Sequence, residues 1–235
     1  MVHSPLISAR NVSYAYPDGS MALRDVSIEI YRNDRVGIIG PNGSGKSTLI
    51  FLLSGLLRPT KGEVRIFGML PDKKNVESIR RRIGVVFQNP DDFLFNPTVK
   101  DELLYVPKQL EMDEEQMLRL LSEYAKKFDL EEILQKPPFR LSGGEKKKVE
   151  IASVLVYSPE VIFLDEPTAN VDGKTKRIVA EMMRNYSGTV VIASHEMELI
   201  WELCSRVVLM SKGRIVEETT VESLSEEKLE EIGVI

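Results

Sequence analysis

The chain has 235 residues, of which 43% are hydrophobic and 29% charged, with a net charge of −5. That length suits one large domain, or a core carrying an inserted subdomain. The mild acidity argues against a general nucleic-acid binder, whose phosphate contacts need clustered cations, and a single cysteine, Cys204, excludes an intrachain disulfide.

The opening "MVHSPLISARNV" has no basic stretch leading into a long apolar run. No later stretch approaches the length that spans a bilayer. The expectation is a cytosolic chain, held at a membrane, where it works at one, by another protein. "LISARNVSYAY" and "LRDVSIEIY" alternate apolar and polar residues, as half-buried antiparallel strands do. "RVGIIG" (35–40) is a short run rich in β-branched residues and reads as a strand buried on both faces. "IRRRIG" puts Arg80–Arg82 on a solvated helix end, and "IGVVFQ" (83–88) is a further strand candidate.

Between about 89 and 157 the strand runs stop. "TVKDELLYV", "DEEQMLRLLSEYAKKFD" and "GGEKKKVEIASVLVY" carry helical spacing, and Met117, Leu120, Leu121 and Tyr124 share one face. "VIFLD" (161–165) and "TVVIASH" (189–195) again read as fully buried strands. Cys204, in "LIWELCSRVV", reads as a core thiol at a packed helix end. "RVVLMSKGRIVEE" reads as two strands around a Ser-Lys-Gly turn, and "VESLSEEKLEEIGVI" as a short acidic helix with a frayed tip. The pattern is an α/β core (about 1–88 and 158–235) with a helical insertion (about 89–157).

"GPNGSGKST", Gly40 to Thr48, follows a buried strand and opens a helix, the context that makes a phosphate-binding loop. Gly40, Gly43 and Gly45 let the backbone turn its N–H groups into a concavity, and the helix N-terminus adds partial positive charge. Lys46 is expected on the β- and γ-phosphates and Ser47 on Mg²⁺. "VIFLDEP" ends a buried strand in two acids at the sheet edge where open α/β sheets bind ligands. There Asp165 would hold Mg²⁺ through water, and Glu166 would act on the attacking water. His195 closes a third strand at the same edge and is expected to contact the γ-phosphate.

"LSGGE" (141–145) offers a second anion site, a serine and two glycines opening a helix. One nucleotide does not need two such sites from one chain. Two chains meeting face to face, each capping the other's ATP, is the economical explanation.

With these pieces the sequence resembles the ABC ATPases over nearly its whole length. The resemblance implies a P-loop ABC-type ATPase fold: a parallel core sheet, an antiparallel β subdomain and an inserted helical subdomain. "GPNGSGKST" is similar to Walker A, which implies that Gly40, Asn42, Gly43, Ser44, Gly45, Lys46, Ser47 and Thr48 bind nucleotide. "VIFLDEP" is similar to Walker B, with Glu166 as the catalytic glutamate. "LSGGE" resembles the signature, with Ser142, Gly143 and Gly144 set against a partner's γ-phosphate. "ANVD" (169–172) stands at the D-loop and His195 at the switch histidine. Tyr16 matches the aromatic residue that stacks on adenine. Gln88 matches the Q-loop glutamine, implied to sense Mg²⁺ and water.

"QNPDDFLFNPTVKDEL" is similar to the form in energy-coupling factor and cobalt/nickel-type importer ATPases. It implies that Phe93, Leu94 and Phe95 lie near the groove that receives a membrane subunit. The chain departs from the importer pattern at Glu145, where glutamine is usual and glutamate resembles soluble relatives. It departs also in its "VDGK" D-loop and its short C-terminal region. Lys146–Lys148 read as a solvated helix face. The implied protein is the ATP-binding and ATP-hydrolysing subunit of an importer, peripheral at the inner face of the cell membrane. Its implied partners are a second ABC ATPase subunit, homo- or heteromeric, an integral membrane transport subunit and a substrate-binding membrane subunit, and no nucleic acid. The alternative is a soluble ABC ATPase of a protein assembly, such as iron–sulfur cluster assembly.

Overall fold

The computed structural model describes residues 4–231 and Gly233, so the expected frayed tip falls largely outside the described residues. The chain divides into two compact units: Met1–Ile83 with Glu160–Glu166 and Ser187–Ile235, and Gly84–Pro159 with Pro167–Tyr186.

In the first unit, β1 (Ile7–Ala15), β2 (Met21–Ile30) and β4 (Lys61–Ile66) form an antiparallel sheet in the order β2-β1-β4. Register puts Ile7 opposite both Ile30 and Ile66, and Ala9 opposite Ile28 and Val64, and all of these are buried. In β2, buried Val26, Ile28 and Ile30 alternate with the more exposed Ser27 and Glu29, the period-2 signature of a one-sided sheet. The second sheet is parallel where β6 (Val161–Asp165), β7 (Thr189–Ala193), β3 (Arg35–Ile39) and β8 (Arg206–Ser211) lie side by side. β9 (Arg214–Thr220) closes it antiparallel to β8. Lys212 and Gly213 both have positive φ (48° and 77°), the backbone that a tight hairpin turn of right-handed strands requires.

Every residue of β6 and β7 is buried, as expected of strands covered on both faces. α1 (Lys46–Leu53) packs on strands of both sheets and is apolar almost all round for that reason. α2 (Val76–Arg80) is short, and Arg81 pairs with Glu77 on its surface. Arg82 is more engaged than a solvated helix end suggests. Its Nε donates to Glu160 Oε1 (2.6 Å) and its guanidinium lies 3.5 Å over the Phe67 ring. α7 (Met197–Leu203) ends at Cys204, which is buried, its thiol pushed up to about 12 by desolvation. α8 (Glu226–Glu231) follows β9.

β5 (Ile83–Val86) leads into the second unit, which is helical: α3 (Val99–Gln109), α4 (Glu114–Lys127), α5 (Gly143–Leu155) and α6 (Gly173–Asn185). Each of the four starts on a capping side chain. Thr98, Asp113, Ser142 and Asp172 accept from backbone N–H groups of their first turns. In α4, Met117, Leu120, Leu121 and Tyr124 do form the less exposed face, continued by buried Ala125 and Phe128. α5 packs against α3 and α6.

Candidate nucleotide site and signature helix

The parallel ladder brings three strand ends to one edge of the first unit. Ile38 of β3 and Asp165 of β6 both pair with Ala193 of β7, so the phosphate loop, the Asp165–Glu166 pair and Ser194–His195 leave the sheet side by side. This is the edge at which open α/β sheets bind ligands.

The loop itself is built on backbone that side chains resist. Gly45 caps α1 at φ +102°, and a Cβ there would stand 2.8 Å from the Ala22 carbonyl oxygen. Only glycine takes that conformation at that approach. No side chain caps α1, so its first N–H groups are left for an anion. Ser44 Oγ is buried with no hydrogen-bond partner in the structure, which fits a hydroxyl meant for a phosphate oxygen. Lys46 is buried, and its Nζ donates to Gly40 O (2.8 Å) and Pro41 O (3.3 Å), carbonyls it can exchange for phosphate oxygens. Asn42 and Gly43, with Pro41 and Ser44, line a cavity of about 460 Å³ on this unit. Thr48 Oγ1 lies 3.0 Å from Tyr16 Oη, and the Tyr16 ring meets Tyr14 edge to face. That bond fixes an exposed aromatic ring beside the start of α1.

Asp165 is buried at the end of β6. Glu166 follows with φ +47°, a left-handed conformation unusual for a glutamate and sited where strain accompanies function. Its N–H donates to Ala193 O (2.8 Å), tying it to β7. Three contacts converge on Oε2: Ser194 Oγ at 3.3 Å, the His195 N–H at 3.4 Å and His195 Nδ1 at 2.8 Å. Among the described residues no group of three His, Cys, Asp or Glu could hold a metal. The donors at this edge, the Ser47 hydroxyl and the Asp165 carboxylate, are hard oxygens. They suit Mg²⁺ bound chiefly by phosphate and water.

Gln88 and Ser142–Gly144 belong to the second unit. Ser142 starts α5 in a capping box: its N–H and Oγ donate to Glu145 Oε2 (2.7 and 2.8 Å), and the Glu145 N–H donates back to Ser142 Oγ (3.3 Å). The Ser142 N–H, then its hydroxyl, hold the Glu145 carboxyl below the usual range. A Cβ on Gly144 would stand 2.9 Å from Asp172 Oδ2 and 3.1 Å from Thr175 Oγ1, whereas Gly143 has open space. The signature turn therefore sits against the cap of α6.

The lysines after the signature are not a solvated face. Lys146 pairs with Asp91 (2.6 Å), Lys147 is fully buried against Glu150 (2.9 Å), and Lys148 is buried with its Nζ 3.4 Å from Asp129 O. Burial pushes the Glu150 carboxyl above the ordinary range, opposed by the Lys147 charge. In the loop after Gln88, Phe93 is half-buried near the Phe87 ring. Phe95 is 66% exposed and meets Tyr105 of α3 edge to face at 5.0 Å. Phe139, just before the signature, is 77% exposed and is not among the residues the sequence singles out.

A phosphate loop, an acid pair and a histidine at one sheet edge, with a signature helix elsewhere in the chain, define an ABC-type ATPase. The ABC transporter family profile matches residues 23–169, and the chain belongs to that family of ATP-binding, ATP-hydrolysing domains. It is 62% identical over 232 residues to a putative ABC transporter ATP-binding protein of Archaeoglobus fulgidus, covering 98% of each chain. It is 42% identical over 221 residues to the energy-coupling factor transporter ATP-binding protein EcfA of Methanothermobacter thermautotrophicus, covering 92% of this chain and 71% of that one. Among solved structures it is similar to cbiO1 of Clostridium perfringens, part of the ABC transporter complex cbiONQ (TM-score 0.80, 31% identity, 96% of this chain and 92% of that one). It is also similar to the ATP-binding cassette MJ0796, a dimer bound to ADP and Pi (TM-score 0.82, 29% identity, 93% and 100%).

Proposed function

We propose that this chain is the ATP-binding subunit of a membrane importer of the energy-coupling or cobalt/nickel type. The observation that carries the reading is Phe95, an exposed aromatic ring braced on Tyr105 in the loop after Gln88. An exposed apolar pair of this kind is available to a partner that would cover it. The relatives named EcfA and the likeness to cbiO1 support the same class of partner. Among the described residues no helix is long and apolar enough to cross a membrane. On this reading the membrane segments and the substrate-binding site belong to separate subunits, and the chain is a peripheral protein at the inner face of the membrane.

ATP binds with its phosphates on the loop amides, Ser44 and Lys46, and its base on Tyr16. A second ATPase subunit supplies Ser142, Gly143 and Gly144 to the γ-phosphate. Ser47 and Asp165 would hold Mg²⁺, and Gln88 is the residue that the resemblance implies for sensing the ion and the attacking water; when bound, the ion would supply positive charge against the phosphates. Glu166 orients that water and draws off its proton, and His195 holds the Glu166 carboxylate and meets the γ-phosphate. Dimer closure on ATP and reopening after hydrolysis shift the membrane subunit between its states.

The reading as a soluble assembly ATPase rests on Glu145. That residue is accounted for by its capping box with Ser142, a local role that marks neither class. The test is purification of tagged Glu166→Gln with Mg-ATP from mildly solubilised membranes. An integral membrane subunit in the eluate supports the importer. Soluble partners alone, found reproducibly, overturn it. Phe95→Ser is expected to uncouple transport while basal ATP hydrolysis persists.

A further inference from the structure

Lys147 and Glu150 lie one turn apart on α5 with side chains 1% and 0% exposed. Their hydrogen bonds go to the backbone of the segment that carries Gln88. Lys147 Nζ donates to Phe87 O (2.6 Å) and Gln88 O (3.2 Å) as well as to Glu150 Oε2 (2.9 Å). Glu150 Oε1 accepts the Phe87 N–H (2.6 Å). The pair thus grips Phe87 by its donor and its acceptor at once. Further along the same loop, Lys146 holds Asp91 (2.6 Å). From α3, buried Glu102 accepts the N–H groups of Phe95 and Asn96 (2.5 Å each) and the Asn96 side-chain amide (2.8 Å).

Stability alone does not explain a buried ion pair. Well-packed apolar residues of similar size commonly serve as well or better. What apolar residues cannot do is bond both the N–H and the C=O of one residue and so fix its position against a helix. Lys147 is three residues from Gly144, within one turn of the signature, and a helix is stiff over that distance.

We infer that Lys147 and Glu150 are positioning residues that lock Gln88 to the signature helix, so that the loop 87–96 and Ser142–Gly144 move as one body. The inference rests on the reading of Gln88 and the signature as parts of the ATP site. A movement imposed on Phe95 would then reach the signature through the loop, rather than being absorbed in it.

The test is the full chain carrying Lys147→Met and Glu150→Leu, which leaves no buried charge unpaired. Melting, kcat and KM for Mg-ATP, and amide exchange over residues 87–96 are measured against wild type and Gln88→Ala. The expected result is a folded protein with faster exchange at Phe87, KM unmoved, and kcat lowered roughly ten- to a hundredfold. A folded double variant with wild-type kcat overturns the inference. Should the double variant not fold, Glu150→Asp keeps the charge but draws the carboxylate back by one methylene. It is expected to lower kcat without moving KM, and wild-type kcat there overturns the inference equally. If Gln88→Ala itself turns over normally, the failure lies in the reading of Gln88. If Gln88→Ala slows and the double variant does not, only the positioning pair fails.

Discussion

His195 Nδ1 lies 2.8 Å from Glu166 Oε2, and both Ser194 Oγ and the His195 N–H also approach that oxygen. The carboxylate at the end of β6 is thereby aimed by the residues at the end of β7. Glutamine at position 166 keeps the shape but cannot take a proton. Glu166→Gln should bind ATP and accumulate the closed dimer, with kcat reduced at least about a hundredfold. His195→Ala frees the Glu166 side chain and should lower kcat while leaving ATP affinity near wild type. Single-turnover hydrolysis with nucleotide-binding titrations checks both. Full turnover by Glu166→Gln would remove Glu166 from its role.

Glu145 places a negative charge in the turn proposed to meet a partner's γ-phosphate, and it draws the Ser142 hydroxyl toward itself at 2.8 Å. Glutamine can make the same capping box without the charge. Glu145→Gln should therefore tighten ATP-dependent dimerisation, read by sedimentation in the Glu166→Gln background. Glu145→Ala loses the box and should cost about 1 kcal/mol of stability, as a lost cap does. Weaker dimerisation of Glu145→Gln would show that the carboxylate is itself needed at the interface.

The acid limb of stability follows from the same bonds. Glu145 is held below its ordinary range by the Ser142 N–H and hydroxyl, and Glu160 by Arg82 first and then Arg32. A carboxyl depressed in the folded state contributes stability that is full above its unfolded pKa and is lost as pH falls through the folded value. Both groups are partly exposed, so solvent screens the effect. Glu145→Gln with Glu160→Gln should flatten the loss of melting temperature below the ordinary carboxylate range and leave its neutral-pH slope unchanged. A wild-type acid limb in that double variant would assign acid sensitivity to other groups.

The phosphate loop, the acid pair and the buried strands are legible in the sequence because each is a local pattern. Short apolar runs rich in β-branched residues specify a covered strand, and "GPNGSGKST" between strand and helix needs no distant partner. β4 is not legible: of its six residues only Val64 and Ile66 are buried apolar ones, and what makes it a strand is pairing with β1. Lys147 misleads for a related reason. A charge in a helical pattern reads as solvated, and its burial depends on the Phe87 carbonyl 60 residues away in sequence. The three apolar residues after Gln88 also look alike in sequence, whereas packing half-buries Phe93 and leaves Phe95 exposed.

The two signature glycines are expected to behave differently. At Gly143 nothing lies within 4 Å of the place a methyl would occupy, and alanine there gains helix propensity in the first turn of α5. Gly144 faces Asp172 Oδ2 at 2.9 Å and Thr175 Oγ1 at 3.1 Å, and Asp172 is the residue that caps α6 through the N–H groups of Lys174 and Thr175. A methyl at 144 must push α5 away from that cap or break it. Gly144→Ala should therefore destabilise the chain by roughly 1–3 kcal/mol, the cost of overpacking, while Gly143→Ala is neutral or slightly stabilising. Adding Asp172→Ala should relieve part of the cost of Gly144→Ala, because the colliding carboxylate is gone, so the two substitutions should be non-additive in a double-mutant cycle. Urea denaturation of the four proteins measures this directly. Equal stabilities for the two alanine variants, or strict additivity with Asp172→Ala, would show that the signature turn does not bear on the cap of α6.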